Sequence, residues 1–243
     1  MLIASPKGIP VPMASAKVGY ITVHRTFNPV FGSKITEEDQ VWFNPNEATA
    51  LGRVRLRRGN DDFKKIYRFT GQGVYRFRRE PKNGQEVPLP SEKWTDVKET
   101  FYSHNLKQSG CSIVSERSIL LYVASAASFS DNQDPISLYV FGKRQLFRVD
   151  LSAAGLQALK VKYIAKTRDN EVRKKTTVEA SKITIKTQPM DSVLNGVETF
   201  SFLGLHKNIV IFIDPTSRLP LQISGDVPKL GKVDLKLHQV ILQ

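Results

Sequence analysis

Cysteine is almost absent from this chain: Cys111 is the only one among 243 residues. A single thiol excludes an internal disulfide and any metal site built from several cysteines. Long apolar runs are also missing. No stretch of about 18 apolar residues occurs, which excludes a transmembrane helix. The chain is nonetheless long enough to bury a core without disulfides or metal ions.

The first 16 residues lack the features of a convincing signal peptide. Lys7 supplies a positive charge and residues 14–16 resemble a cleavage site, but the segment 8–13 is short and contains two prolines. Such a segment is a poor apolar core for a signal peptide. Because prolines favour extended, unpaired backbone, we expect residues 1–16 to form an extended leader. A processed or wrongly assigned start is the alternative.

No catalytic or metal-binding set stands out in the sequence. The four histidines show no metal-ligand spacing: His24, His104, His206 and His238. Cys111 lies seven residues after His104, and a lone cysteine is more often a small buried apolar group than a nucleophile. Gly71-Gln72-Gly73 begins a glycine-rich pattern, but a phosphate loop needs a helix behind it and strands flank this one. We therefore predict no catalytic residue, no metal and no cofactor, and we favour a non-enzymatic role.

Alternation of apolar and polar residues with a period of two is the dominant pattern. It predicts strands over 17–27, 53–57, 66–70, 74–78, 118–123, 138–141, 145–149, 159–168, 178–186, 209–213, 219–223 and 232–237. Turn residues separate these segments and no regular helices intervene, which indicates an all-β, mostly antiparallel fold. We expect a strongly curved sheet or a partly open barrel, with at most one or two short helices. No long linker divides the strands, so residues 17–243 are predicted to form one domain.

Three local features leave alternatives or carry a specific expectation. Residues 91–104 fit helical spacing and strand composition almost equally well, with a slight preference for a helix. Residues 153–156 are expected to be a connection or a single helical turn. Asp214 and Arg218 bracket a turn, and we expect a structural ion pair between them.

Positive charge is concentrated in two segments. The formal net charge is +13, and residues 53–82 hold 11 basic and 3 acidic residues while residues 159–186 hold 9 and 3. Within each strand the basic residues occupy every second position and the aliphatic residues occupy the positions between them. This pattern predicts a positive surface that faces solvent. The candidate residues for binding anions on that surface are Arg53, Arg55, Arg57, Arg76, Arg78, Lys160, Lys162 and Lys166.

Three interpretations of this charge are open: attraction to an anionic lipid or envelope component, binding of nucleic acid, and simple solubility. A sheet that binds nucleic acid usually needs exposed aromatic rings on which bases can stack. The aromatic residues of these strands alternate with the basic residues and so point to the opposite side. We therefore expect Tyr75, Phe77 and Tyr163 in the core. This favours the anionic lipid or envelope component over nucleic acid as a partner.

The last third of the chain resembles a known family. Asn208 to Gly225 contains an apolar strand, an acidic turn, the Arg218-Leu-Pro220 motif and a second strand, and Gly231 to Leu237 adds a final alternating strand. This order resembles the closing hairpins of a bacterial domain-of-unknown-function family, number thirty-one-oh-eight. Residues 120–122 and 138–141 are loosely similar to its middle part. The resemblance implies a secreted, mostly antiparallel β protein of the Gram-negative envelope, without known catalytic residues.

The favoured function is therefore a non-catalytic bacterial envelope protein, located in the periplasm or associated with the envelope. It would bind or carry an anionic or lipidic partner, because a curved sheet can enclose a cavity and its basic faces attract anionic headgroups. The alternative is a cytoplasmic nucleic-acid-binding β module that uses the same two basic segments.

Overall fold

The computed structural model describes residues 2–4, 10–12, 18–27, 34–103, 114–129, 134–168, 170–190 and 198–241. His104 and Cys111 lie outside the described residues. The chain divides into two compact units, Met1–Ile119 (unit 1) and Leu120–Gln243 (unit 2). The single domain over 17–243 stays a prediction.

In the described part of unit 1, the regular secondary structure is almost entirely β-strand. The strands are β1 (Leu2–Ala4), β2 (Pro10–Pro12), β3 (Gly19–Phe27), β4 (Ile35–Asn44), β5 (Thr49–Arg58), β6 (Phe63–Thr70), β7 (Gly73–Glu80), β8 (Asp96–Ser103) and β9 (Ser115–Glu116). β1 pairs with β2 in antiparallel fashion, so the expectation of an unpaired leader is wrong for these residues. Six strands form one sheet in the order β3-β4-β5-β6-β7-β8, and every neighbouring pair is antiparallel.

Two connections show why this sheet follows the chain in order. The β6–β7 hairpin turns at Gly71 and Gln72, as predicted, and Gly73 cannot carry a side chain because a Cβ there would lie 2.3 Å from the Tyr102 carbonyl oxygen. Of the two alternatives predicted for residues 91–104, a helix or a strand, the structure shows a strand, β8. Only Ser91–Lys93 forms a short 3-10 turn, and β8 pairs with β7 from Gly73 to Glu80.

Unit 2 contains one helix and a second sheet. Its elements are α1 (Ile119–Ala126, which begins at the unit boundary), β10 (Ile136–Phe141), β11 (Leu146–Lys166), β12 (Glu171–Pro189), β13 (Lys207–Ile213), β14 (Pro220–Val227), β15 (Gly231–Lys236) and β16 (Gln239–Ile241). The order β15-β14-β13-β12-β11-β10 is antiparallel, and β16 runs parallel to β11. The mostly antiparallel all-β prediction is confirmed: both sheets are curved, and among the described strands neither closes into a barrel.

The strand predicted over 118–123 is wrong, because Ile119–Ala126 is the helix α1. Short apolar runs are consistent with either structure when only periodicity is considered. Leu120, Val123 and Ala124 are buried, which is the spacing of one helix face. The Arg218 side chain also donates from Nε to the Ser125 carbonyl oxygen at 2.7 Å, and so satisfies one of the open carbonyls at the helix end.

The expected ion pair between Asp214 and Arg218 is therefore also wrong. The Asp214 carboxylate instead accepts hydrogen bonds from Thr216 N at 2.9 Å and Ser217 Oγ at 2.8 Å within its own turn. Burial works to raise the pKa of Asp214, but these hydrogen bonds outweigh it and lower the pKa. The two residues stabilise different elements of unit 2.

β11 is one strand of 21 residues where two strands and a connection were predicted. The register shifts between Ala153 and Leu156, and Gly155 has φ of 78°. This is a β-bulge, in which glycine adopts the left-handed conformation and the strand bends without ending. Beyond the bulge, β11 and β12 enclose a core with β13 and β14, whose buried members are Leu159, Val161, Tyr163, Ala180, Phe212 and Leu221.

Candidate anion-binding site

One face of the unit 1 sheet collects charged side chains from four adjacent strands and one edge strand. Lys65 on β6 lies directly between Arg55 on β5 and Arg78 on β7, and Asp39 on β4 lies beyond Arg55. Directly opposed residues of an antiparallel pair point to the same side of the sheet. We call this side the cationic face, defined by Arg25, Glu37, Asp39, Arg53, Arg55, Arg57, Phe63, Lys65, Arg76, Arg78 and Glu80. These eleven residues include seven cations and three carboxylates, and Lys98 and Asp96 extend the same side onto β8.

Arg53 does not face solvent, and its predicted exposure is wrong. It is only 4% exposed, its Nε donates to Asp39 Oδ1 at 2.6 Å, and its Nη1 lies 3.0 Å from Glu116 Oε1. Burial acts to lower the pKa of Arg53, but Glu116 and Asp39 outweigh it and raise the pKa. Burial likewise acts to raise the pKa of Asp39, while Arg53 and its neighbours hold it below its usual range. Arg53 is a buried structural cation.

Glu37 organises the arginines next to Arg53. This buried carboxylate lies 2.9 Å from Arg25 Nη2, 2.9 Å from Arg55 Nη2 and 3.7 Å from Arg57 Nε. Arg55 and Arg57 are half-buried, so the predicted common face is confirmed for them but full solvent exposure is not. One carboxylate shared by three guanidinium groups fixes their positions without neutralising them all.

Phe63 supplies an apolar floor to the central part of this face. Its ring centroid lies 3.8 Å from Lys65 Nζ, 5.3 Å from Arg55 Cζ and 6.0 Å from Arg78 Cζ. Cations gather over such a ring because the face of its π-system is negative. The ring thus holds three like charges close together although they repel each other.

Burial and this repulsion both act on the pKa of Lys65. Burial, followed by Arg78, Arg55 and Arg76, lowers the pKa of Lys65 to about 7, while Glu80 acts weakly in the opposite direction. An anion bound among these groups would offset the repulsion and favour the charged ammonium. The electrostatics of the face therefore suit an anionic ligand.

Several donors on this face also have no protein acceptor. The Nε atoms of Arg55, Arg76 and Arg78 are buried and make no hydrogen bond to any part of the chain that the structure describes. Arg76 donates from Nη2 to Thr100 Oγ1 at 3.2 Å, and Arg78 contacts Glu80 through Nη2. An unmet buried donor costs free energy. Because these Nε atoms are buried, an oxygen-rich ligand would contact the outer Nη atoms of the same guanidinium groups.

The opposite face of the same sheet carries aromatic rings. Tyr20 pairs across the strands with Trp42, and Tyr75 with Phe101, with ring centroids 5.4 and 4.5 Å apart. Tyr75 is 38% exposed, so its predicted core position is wrong, and Phe77 is half-buried; Tyr163 in unit 2 is buried as expected. Because these rings and the cationic face lie on opposite sides, bases stacked on the rings would leave their phosphates away from those cations.

The second basic segment forms an exposed ribbon in unit 2. Lys160 and Lys162 are exposed on β11, as predicted, and Lys162 lies directly opposite Lys175 on β12. Lys166 differs, because its Nζ lies 2.8 Å from Glu171 Oε2. We call Lys160, Lys162, Arg173 and Lys175 the basic ribbon. They share one side of the hairpin, since Arg173 opposes Ile164 and Lys175 opposes Lys162.

An open groove of about 530 Å³ lies beside this ribbon in unit 2. Lys160, Lys182, Asp226 and Asp234 are among its lining residues, so its charge is mixed. Ser224 Oγ donates to Asp234 Oδ1 at 2.7 Å, which holds one of the carboxylates in place. The groove is a weaker candidate for anion binding than the cationic face, because its described lining residues include no arginine.

Six residues of the cationic face were not among the predicted site residues: Arg25, Glu37, Asp39, Phe63, Lys65 and Glu80. No strand was predicted over 35–44, although Glu37, Asp39, Val41 and Phe43 are all buried on one side of β4. The period of two is present there, but acidic residues at the inward positions concealed it. A run of acids separated by one turn from a run of arginines is the signal that identifies this pairing.

No protein-family model, curated protein or solved structure matches this chain. The resemblance to the domain-of-unknown-function family therefore stays a prediction. In the described ranges, no helix has both the length and the apolar character to cross a membrane. The same residues contain no cluster of three or more His, Cys, Asp or Glu side chains that could hold a metal ion.

Proposed function

We propose that this protein binds, without catalysis, an anionic lipid or envelope component that carries phosphate or carboxylate groups. The cationic face of unit 1 is the proposed binding site. One observation carries the proposal: Arg55, Lys65 and Arg78 lie side by side across three strands, with all three cationic groups gathered over the Phe63 ring.

The chemistry of these groups favours oxygen-rich anions. Guanidinium groups present a planar set of N–H donors that match carboxylate and phosphate oxygens, and charge-assisted hydrogen bonds of this kind are short and strong. Glu37 and the Phe63 ring already hold Arg55 in place. Less conformational freedom is then lost when a ligand binds.

The basic ribbon supports a lipid or envelope surface as the source of the anion. Exposed lysines near an anionic membrane surface contribute roughly 1 kcal/mol each through long-range attraction. A periplasmic or envelope-associated location follows from this proposal and from the resemblance of the C-terminal third. This location is therefore proposed together with the function.

Nucleic acid is the second candidate, because the exposed basic ribbon would attract any polyanion. The arrangement of unit 1 supports it less well. The aromatic pairs Tyr20–Trp42 and Tyr75–Phe101 lie on the side of the sheet away from the cationic face. Base stacking would use that aromatic side with its own arginines, such as Arg68, whose Cζ lies 5.9 Å from the Tyr75 ring centroid, and would leave the cationic face without a ligand.

Co-sedimentation tests this proposal with vesicles that contain or lack phosphatidylglycerol, beside titration with a fluorescent single-stranded oligonucleotide. The variant Arg76→Gln/Arg78→Gln removes two cations of the site and should weaken binding to anionic vesicles about tenfold or more, since a hydrogen bond to a charged group contributes about 1.5–3 kcal/mol. Arg148→Gln is the matched control, because Arg148 is an exposed arginine of β11 that pairs with Asp150.

Equal binding by the double variant and the wild type would exclude the cationic face as the site. Binding of the oligonucleotide without binding of anionic vesicles would establish the nucleic-acid alternative instead. A circular dichroism melt of each variant confirms that lost binding does not reflect unfolding.

A further inference from the structure

Lys65 is placed differently from an ordinary surface lysine. It lies on the middle of three strands, directly between Arg55 and Arg78, and its Nζ rests over the Phe63 ring at 3.8 Å. Its side chain is half-buried. Among the residues that the structure describes, no acceptor or carboxylate pairs with the Lys65 ammonium, and Glu80 is engaged by Arg78.

Cations surround Lys65 from both neighbouring strands. Arg55 faces it from β5, Arg76 and Arg78 face it from β7, and Glu80 is the carboxylate that faces it. A lysine that is partly desolvated beside other cations becomes a nucleophile at neutral pH, because its uncharged form is favoured. With a pKa of about 7, part of the Lys65 amine is uncharged at neutral pH.

In the empty site the surrounding cations favour the neutral amine, and the same cations attract an anionic reactant, which offsets part of this effect once it is bound. Arg55, Arg76 and Arg78 can hold a phosphate or carboxylate close to Nζ, and a carbonyl carbon on the same small molecule would then lie within reach of the amine. We infer that Lys65 captures anionic carbonyl compounds, such as phosphorylated aldehydes or α-keto acids, as a Schiff base. This inference rests on the proposed anion site and adds a covalent step to it.

The step balances without an oxidant or reductant. The Lys65 nitrogen forms a bond to the carbonyl carbon, the C=O bond is replaced by C=N, and the carbonyl oxygen leaves as water with two protons from the amine. Hydrolysis reverses the reaction, so capture alone involves no turnover. Added borohydride transfers hydride to the imine carbon and fixes the adduct as a secondary amine.

Lys64 provides an internal comparison. It is the adjacent residue but points to the other side of β6, where its Nζ lies 2.5 Å from Glu92 Oε1. Its partner is a carboxylate, whereas the neighbours of Lys65 are mainly cations. Two consecutive lysines of the same strand should therefore differ in reactivity.

The experiment incubates the intact protein with pyridoxal 5′-phosphate, traps the imine with borohydride and locates the label by peptide mass mapping. We expect label on Lys65 at least tenfold above that on Lys64, and at least tenfold less label when pyridoxal without the phosphate is used. The trapping rate should rise as the pH increases through about 7. Lys65→Arg should abolish this label, and Lys64→Arg should retain it.

Inorganic phosphate separates this inference from the proposed function. Protection of Lys65 by phosphate supports both. If the arginines bind phosphate, as measured by calorimetry with Arg76→Gln/Arg78→Gln as the negative control, but Lys65 is labelled no faster than Lys64, the inference is overturned and the anion site stands. Absence of both phosphate binding and selective labelling would overturn both.

Discussion

Arg53 and Asp39 form a two-point ion pair in the interior of unit 1, where Arg53 Nε donates to Oδ1 at 2.6 Å and Nη2 donates to Oδ2. β4 and β5 bring these residues together across a hairpin. A buried pair of this kind adds little stability compared with an apolar pair of similar volume. Removing one partner is nevertheless strongly destabilising, because it leaves the charge of the other buried without compensation. The pair also anchors one end of the cationic face.

The first prediction follows from that dependence. Asp39→Ala should lower the free energy of unfolding by about 3–5 kcal/mol, because it leaves the Arg53 charge buried beside Glu116 alone. Urea denaturation measures the loss. Glu38→Ala, on the other side of β4, is the control. Equal stability of Asp39→Ala and Glu38→Ala would contradict the role of the pair.

The second prediction concerns the pH dependence of stability. The pKa of Lys65 is about 7 in the folded chain, below the ordinary value of 10.5. Between these values the unfolded chain binds more protons than the folded one, so this lysine makes stability rise with pH and lowers it at pH values below about 7.

Urea midpoints measured from about pH 6 to about pH 9.5 should show this rise in the wild type. Lys65→Gln should reduce the slope and raise stability at the acidic end of the range. Lys64→Gln removes the same charge from the same strand on the other face. A slope that is unchanged by Lys65→Gln would show that Lys65 is not the group responsible.

The errors in the predicted site arise because the alternation of residue types along a strand gives only part of the information that is needed. Parity correctly placed Arg53, Arg55 and Arg57 on one face, and Arg76 and Arg78 on the same face two strands away. Parity does not show which face meets solvent. That depends on residues far away in sequence, such as Glu116, which lies on β9 and pairs with Arg53.

Lys65 illustrates the same limit at one position. Lys64 and Lys65 are identical residue types, and the sequence alone offers no reason to separate them. Only the pairing of β6 with both neighbours places Lys65 between Arg55 and Arg78 and places Lys64 near Glu92. The helix α1 was missed for a related reason, since a contact from Arg218, far along the chain, satisfies carbonyls at its end.

The third prediction tests that contact. Arg218→Ala should destabilise unit 2 by about 1.5–3 kcal/mol, because the guanidinium donates to carbonyl oxygens at the end of α1 that would otherwise lack partners. Hydrogen exchange should show faster opening of Leu120–Ala126 than of β13 in this variant. Arg168→Ala, at an exposed position after β11, is the control and should change stability by less than about 0.5 kcal/mol. Uniform loss of protection over unit 2 would argue against a local role.

The last prediction concerns the basic ribbon, which is the part of the charged surface that can be reversed without disturbing a buried network. Reversing Arg55 would place a glutamate beside Glu37 and threaten the fold, whereas Lys162 is exposed and opposes only Lys175. Lys160 and Lys162 lie about 6.6–7 Å apart along the strand, within the Debye length of about 8 Å at physiological ionic strength, so their potentials add.

Lys162→Glu should weaken binding to phosphatidylglycerol vesicles several-fold at about 50 mM salt and much less at about 300 mM, because screening removes the difference. Its melting temperature should be equal or slightly higher, since the new carboxylate faces Lys175 across the hairpin. Lys143→Glu, an exposed lysine in the β10–β11 turn, is the matched control. If Lys162→Glu and Lys143→Glu weaken binding equally, net charge alone drives association, and the ribbon is not a specific surface.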